Sequence, residues 1–339
     1  MPVMKNPPRP GTPEWRGMIT ASKAPAMVRY PEGHENAGEY LGCDYFSAFE
    51  RWHMMNGTWS EDIDADKQAM FDDAHDAEDY AANVWLRANP GWQLNNGEIA
   101  YHDPEWRIDG EEVPHCVTLD RRARRGSRRA IIECKRPRKN NGVQDNWWIQ
   151  VILQMGISGI HEAYIVIVPV YGTPEIHTVE WDEVAFSRIK ADCEAFYLSL
   201  LAGEPPAVGD SEHAKEIFDA MHPEPSGETV EVPVDLMDAL LTAYDRLTAA
   251  EKDAAAARNA VMEFMGDASR AEYEGQTVAK RSTGKFAQSR IPEEDKHLLT
   301  DPDLMSPKFD AAKLKAKYPE VHAAAQGSGS FTFERKAWQ

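Results

Sequence analysis

A short apolar segment ends in a carboxylate and an ammonium group that point the same way. Residues 131–137 read Ile-Ile-Glu-Cys-Lys-Arg-Pro, and their β-branched start predicts a strand. Because side chains alternate across a strand, Glu133 and Lys135 share one face, and Ile132 and Cys134 share the other. Two interpretations stay open from this segment by itself. The pair is either a surface ion pair or a metal ligand next to its catalytic partner.

A second carboxylate, Asp120, ends the preceding predicted strand, which reads Cys-Val-Thr-Leu-Asp. We expect a basic turn to join the two strands and to bring Asp120 close to Glu133. Two carboxylates and the main-chain carbonyl of Cys134 form a hard oxygen site that suits Mg²⁺, with Mn²⁺ as the alternative. A lysine such as Lys135 can orient or deprotonate water there, while the metal stabilises charge on a phosphate. The spacing D-x(12)-E-x-K is common by chance, so its meaning depends on the flanking segments.

Basic residues surround this pair, although the chain as a whole is acidic. The net charge of −19 argues against a nucleic-acid partner. Residues 121–139, however, contain ten Arg or Lys and one Glu, a local balance of +9 that leaves −28 for the remainder. Such a stripe indicates a polyanion site, and a solvated loop is the alternative. The arginines that we predict to bind the polyanion are Arg121, Arg122, Arg124 and Arg125.

The elements that must position these residues follow from periodicity. Residues 14–90 are mostly helical in pattern, and residues 92–135 hold three short strands. Residues 145–160 have apolar positions at helical spacing, and two further strands follow them. This order predicts an α/β (α+β) fold with a mixed sheet flanked by helices.

The domain organisation follows from turn-rich stretches and from length. A chain of 339 residues is long enough for one large domain or two ordinary ones. We predict a catalytic domain over 1–202 and a linker region over 203–231, where Pro and Gly are frequent. Residues 232–339 are predicted to form an extension built from a long helix, a hairpin, a short helix and a final strand.

Composition limits the compartment and the cofactors. No apolar stretch reaches the length of a membrane span, and the N terminus lacks the apolar core of a signal peptide. The cysteines contain no CxxC pair, so neither a disulfide framework nor a zinc ribbon is indicated, and we expect a reducing cytoplasm. Their positions are Cys43, Cys116, Cys134 and Cys193. The spacing of three histidines with Cys116 fits no standard zinc site. These are His75, His102 and His115.

Five segments resemble, in the right order, those of the YqaJ-like viral recombinases, the family of lambda-type exonucleases. The segments are EWRGMITAS, DAEDYAANVW, VTLD, IIECK and NWWIQVILQMGISG. The C-terminal FDAAKLKAKYPEVHAAA is also similar to the corresponding part of phage nucleases of this type. The resemblance implies a PD-(D/E)xK nuclease fold that cuts DNA with Mg²⁺.

The resemblance also implies a role for individual residues. Asp120 and Glu133 bind the metal, and Lys135 positions the attacking water. Glu78 contributes from its helix, and Gln150 supports the site from the helix that follows the motif. The residues that correspond to the pocket for a terminal 5′-phosphate are Arg16, Ser22 and Thr118.

This chain departs from the family pattern in three places. Leu119 replaces the motif's proline, the segment between the two carboxylates is longer and more basic, and Arg16 lies one residue out of register. Some related nucleases hold an iron–sulfur cluster that needs three cysteines after the core. Only Cys193 follows the core here, so no cluster is expected.

The sequence therefore predicts a phage-type, Mg²⁺-dependent deoxyribonuclease. The expected activity is a 5′-to-3′ exonuclease that acts on double-stranded ends and prepares single strands for recombination. A homo-oligomer is expected, with a single-strand annealing protein as a further partner and no membrane. The alternatives are an endonuclease with the same core, or a DNA-binding or scaffold protein with a decayed site.

Overall fold

A mixed sheet covered by helices forms the centre of the N-terminal part of the chain, as the sequence predicts. The computed structural model describes residues 2–42, 46–224, 226–282, 284, 286–306, 308–325 and 330–333, so Cys43 lies outside the described residues. The chain divides into two compact units, Met1–Gly227 and Glu228–Gln339. The helices of the first unit are α1 (Pro13–Gly17), α2 (Ala48–Asn56), α3 (Ala65–Ala88), α4 (Asp145–Ser158), α5 (Glu183–Ala202) and α6 (Ala214–Met221). Its strands are β1 (Ile19–Thr20), β2 (Gln93–Leu94), β3 (Ile99–Tyr101), β4 (Arg107–Ile108), β5 (Glu111–Glu112), β6 (His115–Leu119), β7 (Arg121–Arg125), β8 (Arg128–Lys135), β9 (Ala163–Ile167) and β10 (Glu175–Val179).

The main sheet has five strands in the order β10-β9-β8-β7-β2. Strands β8 and β9 are parallel, and the other neighbours are antiparallel. Parallel strands require a crossover connection, which α4 provides between β8 and β9. A second sheet has the order β1-β6-β3. Its strand β6 is followed, after the single residue Asp120, by β7 of the main sheet.

The basic segment after Asp120 is a strand, so the expectation of a basic turn is wrong. Residues 121–125 pair antiparallel with β8, and Arg121 lies opposite Ile132. The turn is limited to Gly126 and Ser127, and Gly126 has a φ of 64°. Ala123 is fully buried within this segment, and Arg122 and Arg124 on either side of it point to the opposite face of the sheet.

Two helices cover opposite faces of the main sheet. On one face, Trp85 of α3 belongs to the same buried cluster as Ala123, Ala130 and Ile132. On the other face, residues of α4 share a buried cluster with Ile131. Because side chains alternate along β8, Glu133 lies on the α4 face and Cys134 on the α3 face.

The segment 203–231, predicted as a linker, contains a helix that packs on the first unit. Helix α6 buries Ile217 completely, in a cluster with Phe49 of α2 and Trp59. Burial of this side chain makes part of the segment an ordered component of the first unit.

The second unit begins with a long helix and continues with short elements. Its helices are α7 (Val234–Met265), α8 (Ala311–Lys317) and α9 (Pro319–Ala324). Its strands are β11 (Arg270–Tyr273), β12 (Gln276–Ser282), β13 (Met305–Ser306), β14 (Lys308–Phe309) and β15 (Ser330–Phe333). The hairpin of β11 and β12 turns at Glu274 and Gly275, and β15 pairs with β12. Among the described residues, no helix has the length and apolar character that crossing a membrane requires.

Candidate active site

The structure brings four of the predicted residues together where β6, β8 and α4 meet. Glu133 and Lys135 lie at the C-terminal end of β8, and Asp120 lies between β6 and β7. Gln150 faces them from α4. Asp120, Glu133 and Lys135 line one cavity of about 320 Å³. This proximity arises from strand register, since β7 and β8 pair up to Arg121 and Ile132, next to Asp120 and Glu133.

Glu133 is the centre of a hydrogen-bond network. Its side chain is only 2% exposed. Lys135 Nζ donates to Glu133 Oε1 at 2.8 Å and to Gln150 Oε1 at 2.8 Å. Gln150 Nε2 donates to the same Glu133 Oε1 at 2.6 Å. A buried carboxylate needs such partners, so the network fixes the orientation of Glu133.

Gln154 completes this network, and the sequence analysis did not identify it. Its Nε2 donates to Glu133 Oε2 at 2.7 Å and to the main-chain oxygen of Thr118 at 2.9 Å. The Gln154 side chain is fully buried. The signal that could have revealed it is its spacing: Gln150 and Gln154 are four residues apart on an otherwise apolar helix and therefore lie on one face.

Electrostatics couples Asp120, Glu133 and Lys135. Burial and the nearby Glu133 carboxylate raise the pKa of Asp120 well above its ordinary value. Burial by itself would lower the pKa of Lys135, but the Glu133 and Asp120 carboxylates outweigh burial and raise it. Lys135 is therefore charged at neutral pH, and two neighbouring carboxylates share this one buried cation.

The donor set suits a hard divalent cation. The amide of Cys134 donates to Asp120 Oδ2 at 2.7 Å. The carbonyl of a strand residue points to the same side as its own amide, so the Cys134 carbonyl faces Asp120 as well. Carboxylate oxygens of Asp120 and Glu133 and this carbonyl are the ligand types that Mg²⁺ prefers. The mutual repulsion of the two carboxylates would also be relieved by a cation between them.

Glu78 lies at the rim of the same cavity, on α3. His75 Nδ1 lies 3.1 Å from Glu78 Oε1, and Arg121 donates to Glu78 Oε2 at 3.1 Å. The side chain of Glu98, which the sequence analysis did not single out, places an oxygen within 4.8 Å of ligand atoms of His75 and Glu78. Burial and the Glu78 carboxylate raise the pKa of Glu98. Glu98 precedes β3 in a segment without recognisable pattern, so no sequence signal pointed to it.

Arg121 is unavailable for the predicted contact with DNA. The side chain is 8% exposed, and its guanidinium pairs with Glu78 and, at 2.7 Å, with Asp79. It also donates to the main-chain oxygen of Asp120 at 2.6 Å. Arg121 thus connects α3 to the strand junction, and we remove it from the proposed DNA-binding set.

The other basic residues of the hairpin divide between the two faces of the sheet. Arg122 and Arg124 alternate with the buried Ala123, so they lie on the α4 face, which also carries Glu133. Arg122 donates to the Tyr101 hydroxyl at 2.9 Å. Arg129, which is opposite Arg124, joins this face although the sequence analysis left it out.

On the opposite face, Arg125 and Arg128 lie next to Trp92. Their guanidinium carbons are 5.0 and 5.2 Å from the Trp92 ring centroid. Arg128 also pairs with Glu162 at 2.7 Å. The hairpin therefore offers two matched pairs of exposed arginines, one on each face.

The N-terminal residues predicted to hold a phosphate lie on a segment that runs beside β6. Thr20 pairs with Cys116 in parallel, two residues before Thr118. Ser22 is exposed, with its hydroxyl 3.1 Å from that of Thr20. Arg16 lies in the last turn of α1.

Lys23 connects α1 to the residues that follow it through hydrogen bonds to the main chain. Its Nζ donates to the main-chain oxygens of Trp15, Arg16 and Met18 at 2.5, 3.1 and 2.8 Å. Burial and the Arg51 guanidinium lower the pKa of Lys23 to about 7. The sequence analysis did not single out Lys23, since an isolated lysine carries no pattern.

Comparisons with known proteins yield similar solved structures. No family model and no curated protein matches the sequence. The chain is similar to an alkaline exonuclease from Laribacter hongkongensis, with 18% identity and a TM-score of 0.41, over 57% of this chain and 94% of that one. For the complex of that exonuclease with dAMP, the values are 17% identity and a TM-score of 0.40, over 56% and 91%. A provisionally named exonuclease from Eubacterium rectale has 11% identity and a TM-score of 0.42, over 70% and 98%.

Proposed function

We propose that this chain is a metal-dependent deoxyribonuclease that degrades double-stranded DNA from its ends in the 5′-to-3′ direction. The observation that carries the proposal is the buried Glu133, held by Lys135 and Gln150 in the same cavity as Asp120. An ordinary surface ion pair would not have a carboxylate that is 2% exposed and supported by two glutamines. The resemblance to lambda-type exonucleases supports the same activity and a role in preparing single strands for recombination.

Asp120, Glu133 and the Cys134 carbonyl are the residues that would hold Mg²⁺ or Mn²⁺. When bound, the ion would stabilise negative charge on the scissile phosphate and lower the pKa of a water molecule. Lys135 lies within hydrogen-bond distance of Glu133, so its ammonium group is placed to orient the attacking water. Gln150 and Gln154 hold Glu133 in position, and Glu78 borders the cavity from α3.

The direct test of this proposal compares substrates with and without ends. Purified protein is incubated with Mg²⁺ and either end-labelled linear duplex or covalently closed circular duplex. We expect mononucleotides from the linear duplex and no cutting of the circle. Cutting of the circle would favour the endonuclease, and inactivity on both would favour a protein with a decayed site.

We expect the two faces of the basic hairpin to differ in their contribution to DNA binding. The Arg124→Ser/Arg129→Ser variant should bind duplex more weakly, and equally so for all sequences. With two fewer phosphate contacts, fewer counterions are released when the protein binds the duplex. The slope of log affinity against log salt should therefore become less steep by up to about 2. Arg125 lies on the face opposite to Glu133, so we remove it too from the proposed DNA-binding set. The matched control is therefore Arg125→Ser/Arg128→Ser, for which the slope should stay the same. Equal slopes for both variants and the parent chain would show that the hairpin is not a DNA-binding surface.

We also expect an effect of the 5′ end on the rate of degradation. Linear duplex with a 5′-phosphate should be degraded faster than the 5′-hydroxyl form, because Arg16 can donate a charge-assisted hydrogen bond to the phosphate and Ser22 a hydroxyl one. Arg16→Ala should narrow the difference by about tenfold to a hundredfold, the size of one lost hydrogen bond to a charged group. Arg9→Ala, a nearby exposed arginine, is the control. If both ends are degraded at the same rate by the parent chain, the phosphate pocket is elsewhere or absent.

The predicted annealing-protein partner and cytoplasmic location belong to the same proposal. An exonuclease that leaves single strands produces the substrate of a strand-annealing protein. The division into a catalytic domain over 1–202 and an extension from 232 also stays a prediction.

A further inference from the structure

Helix α7 leaves nearly all of its apolar side chains in contact with solvent. It has 32 residues, and Met265 is the one that is buried. Phe264 is 91% exposed and Tyr244 is 59% exposed. The other large apolar side chains exposed on this helix are Val234, Leu236, Met237, Leu240, Leu241 and Leu247. So many exposed apolar side chains on one helix indicate an interaction surface.

These side chains follow a seven-residue repeat, the pattern of a coiled coil. Leu240, Leu247, Ala254 and Val261 recur every seven residues and occupy the d positions. The a positions are occupied by Met237, Tyr244, Glu251, Arg258 and Met265. The opposite side of the helix is polar, with residues such as Asp238, Thr242, Asp245 and Lys252. The helix is therefore two-sided, and its apolar side suits another helix.

The two charged a positions determine which arrangement of two identical helices is favourable. In a parallel pair, each residue meets its own copy, so Glu251 would face Glu251 and Arg258 would face Arg258. Like charges in a coiled-coil seam are unfavourable. In an antiparallel pair centred between residues 252 and 253, Glu251 faces Ala254 of the second copy and lies four residues, about 6 Å along the helix axis, from Arg258 of that copy. Opposite charges then meet on both sides of the centre.

The same antiparallel register matches the apolar side chains. Tyr244 faces Val261 of the second copy, which is half-buried in its own chain, and Met265, already buried there, lies beyond the end of the seam. At the positions that flank the seam, Leu241 lies beside Met262 of the second copy. The exposed Phe264 lies beside the small Ala243 of the second copy. The central part is rich in alanine, which permits close approach of the two helices. One register thus accounts for both the charges and the sizes of the side chains.

We propose that α7 pairs with α7 of a second copy of this chain in an antiparallel coiled coil, in which Glu251 of each copy lies next to Arg258 of the other. The pair would cover the exposed apolar side of α7. The proposal rests on α7 alone and is independent of the nuclease activity.

Cysteine cross-linking in the full chain tests the orientation. Tyr244→Cys and Val261→Cys chains are co-expressed with different tags and oxidised. We expect a disulfide that joins the two differently tagged chains. Tyr244→Cys expressed alone should give none at this position, because the two copies of residue 244 would be about 25 Å apart in the antiparallel pair. The parent chain under the same oxidation controls for its native cysteines.

Either of two results would overturn the proposal. One is a cross-link in Tyr244→Cys alone as strong as in the mixture, which indicates a parallel pair. The other is no cross-link in the mixture while circular dichroism shows an intact helix.

Charge reversal tests the same pair without introducing cysteines. Glu251→Arg should weaken self-association on the order of tenfold, measured by sedimentation equilibrium of the full chain. The double variant Glu251→Arg/Arg258→Glu should restore it, because the opposite charges meet again. Thr242→Arg, on the polar side of α7, adds the same charge and should have no effect. Failure of the double variant to recover would contradict the proposed contact.

Discussion

Asp120→Asn and Glu133→Gln are each expected to lower the rate of duplex cleavage by at least about 10²-fold to 10³-fold. Each change removes one carboxylate from the oxygen cluster that would hold the metal, while the size of the side chain is retained. In Glu133→Gln one of the two acceptor oxygens becomes an amide nitrogen, so one side of the hydrogen-bond network is lost as well. The amide from Cys134 can still donate to the oxygen of Asn at position 120. The measurement is single-turnover cleavage of end-labelled linear duplex in Mg²⁺. Glu204→Gln, an exposed carboxylate after α5, is the control and should keep full activity.

Thermal unfolding provides a second measurement for the same variants. Asp120 and Glu133 are neighbouring carboxylates with one shared ammonium group, so their repulsion destabilises the folded chain without a divalent ion. Asp120→Asn should therefore raise the melting temperature in chelator and remove most of the increase that Mg²⁺ gives the parent chain. More than about a tenth of the parent activity in both variants, or an undiminished Mg²⁺ effect on melting, would show that these carboxylates are not the metal ligands.

Lys135→Met is expected to have the second large effect, a loss of about 10²-fold to 10⁴-fold in turnover. Lys135 donates to Glu133 Oε1, so its ammonium group also competes with a metal ion for that carboxylate. Loss of the lysine should leave Mg²⁺ binding intact or tighten it, while cleavage falls. This combination separates a residue that positions water from one that binds metal.

Calorimetric titration measures Mg²⁺ binding by the Lys135→Met variant, and single-turnover cleavage measures its activity. Lys139→Met, an exposed lysine beyond the same strand, is the matched control. If Lys135→Met loses Mg²⁺ binding together with cleavage, Lys135 supports the shape of the site and does not act on the water.

The central residues could be predicted because simple periodicities determine their positions. A period of two places Glu133 and Lys135 on one face of β8, and their 2.8 Å contact agrees with it. The helical pattern of residues 145–160 is likewise confirmed by α4, which carries Gln150 to the same place. Each of these predictions depended only on the side-chain periodicity within a single strand or helix.

Other features depended on contacts between distant segments. Arg121 appeared in the sequence as one of a basic run, but its pairing with Glu78 and Asp79 depends on how α3 packs on the sheet. The strand character of residues 121–125 was obscured because four of the five residues are arginines, and the buried Ala123 is a weak apolar signal. Gln154 was missed because its partners Glu133 and Thr118 lie 21 and 36 residues away along the chain. Glu98 was missed because it lies in an irregular segment, and its neighbours His75 and Glu78 lie on α3.

The hairpin of β7 and β8 has a consequence for how this region can change during evolution. Strand pairing next to Asp120 and Glu133, not the length of the intervening chain, brings the two carboxylates together. A hairpin can gain or lose residues at its tip in pairs, one on each strand, without altering the register at its base. The interval between the two carboxylates can therefore drift in steps of two among descendants of one ancestor. A search for relatives that fixes this interval would overlook members whose chemistry is unchanged.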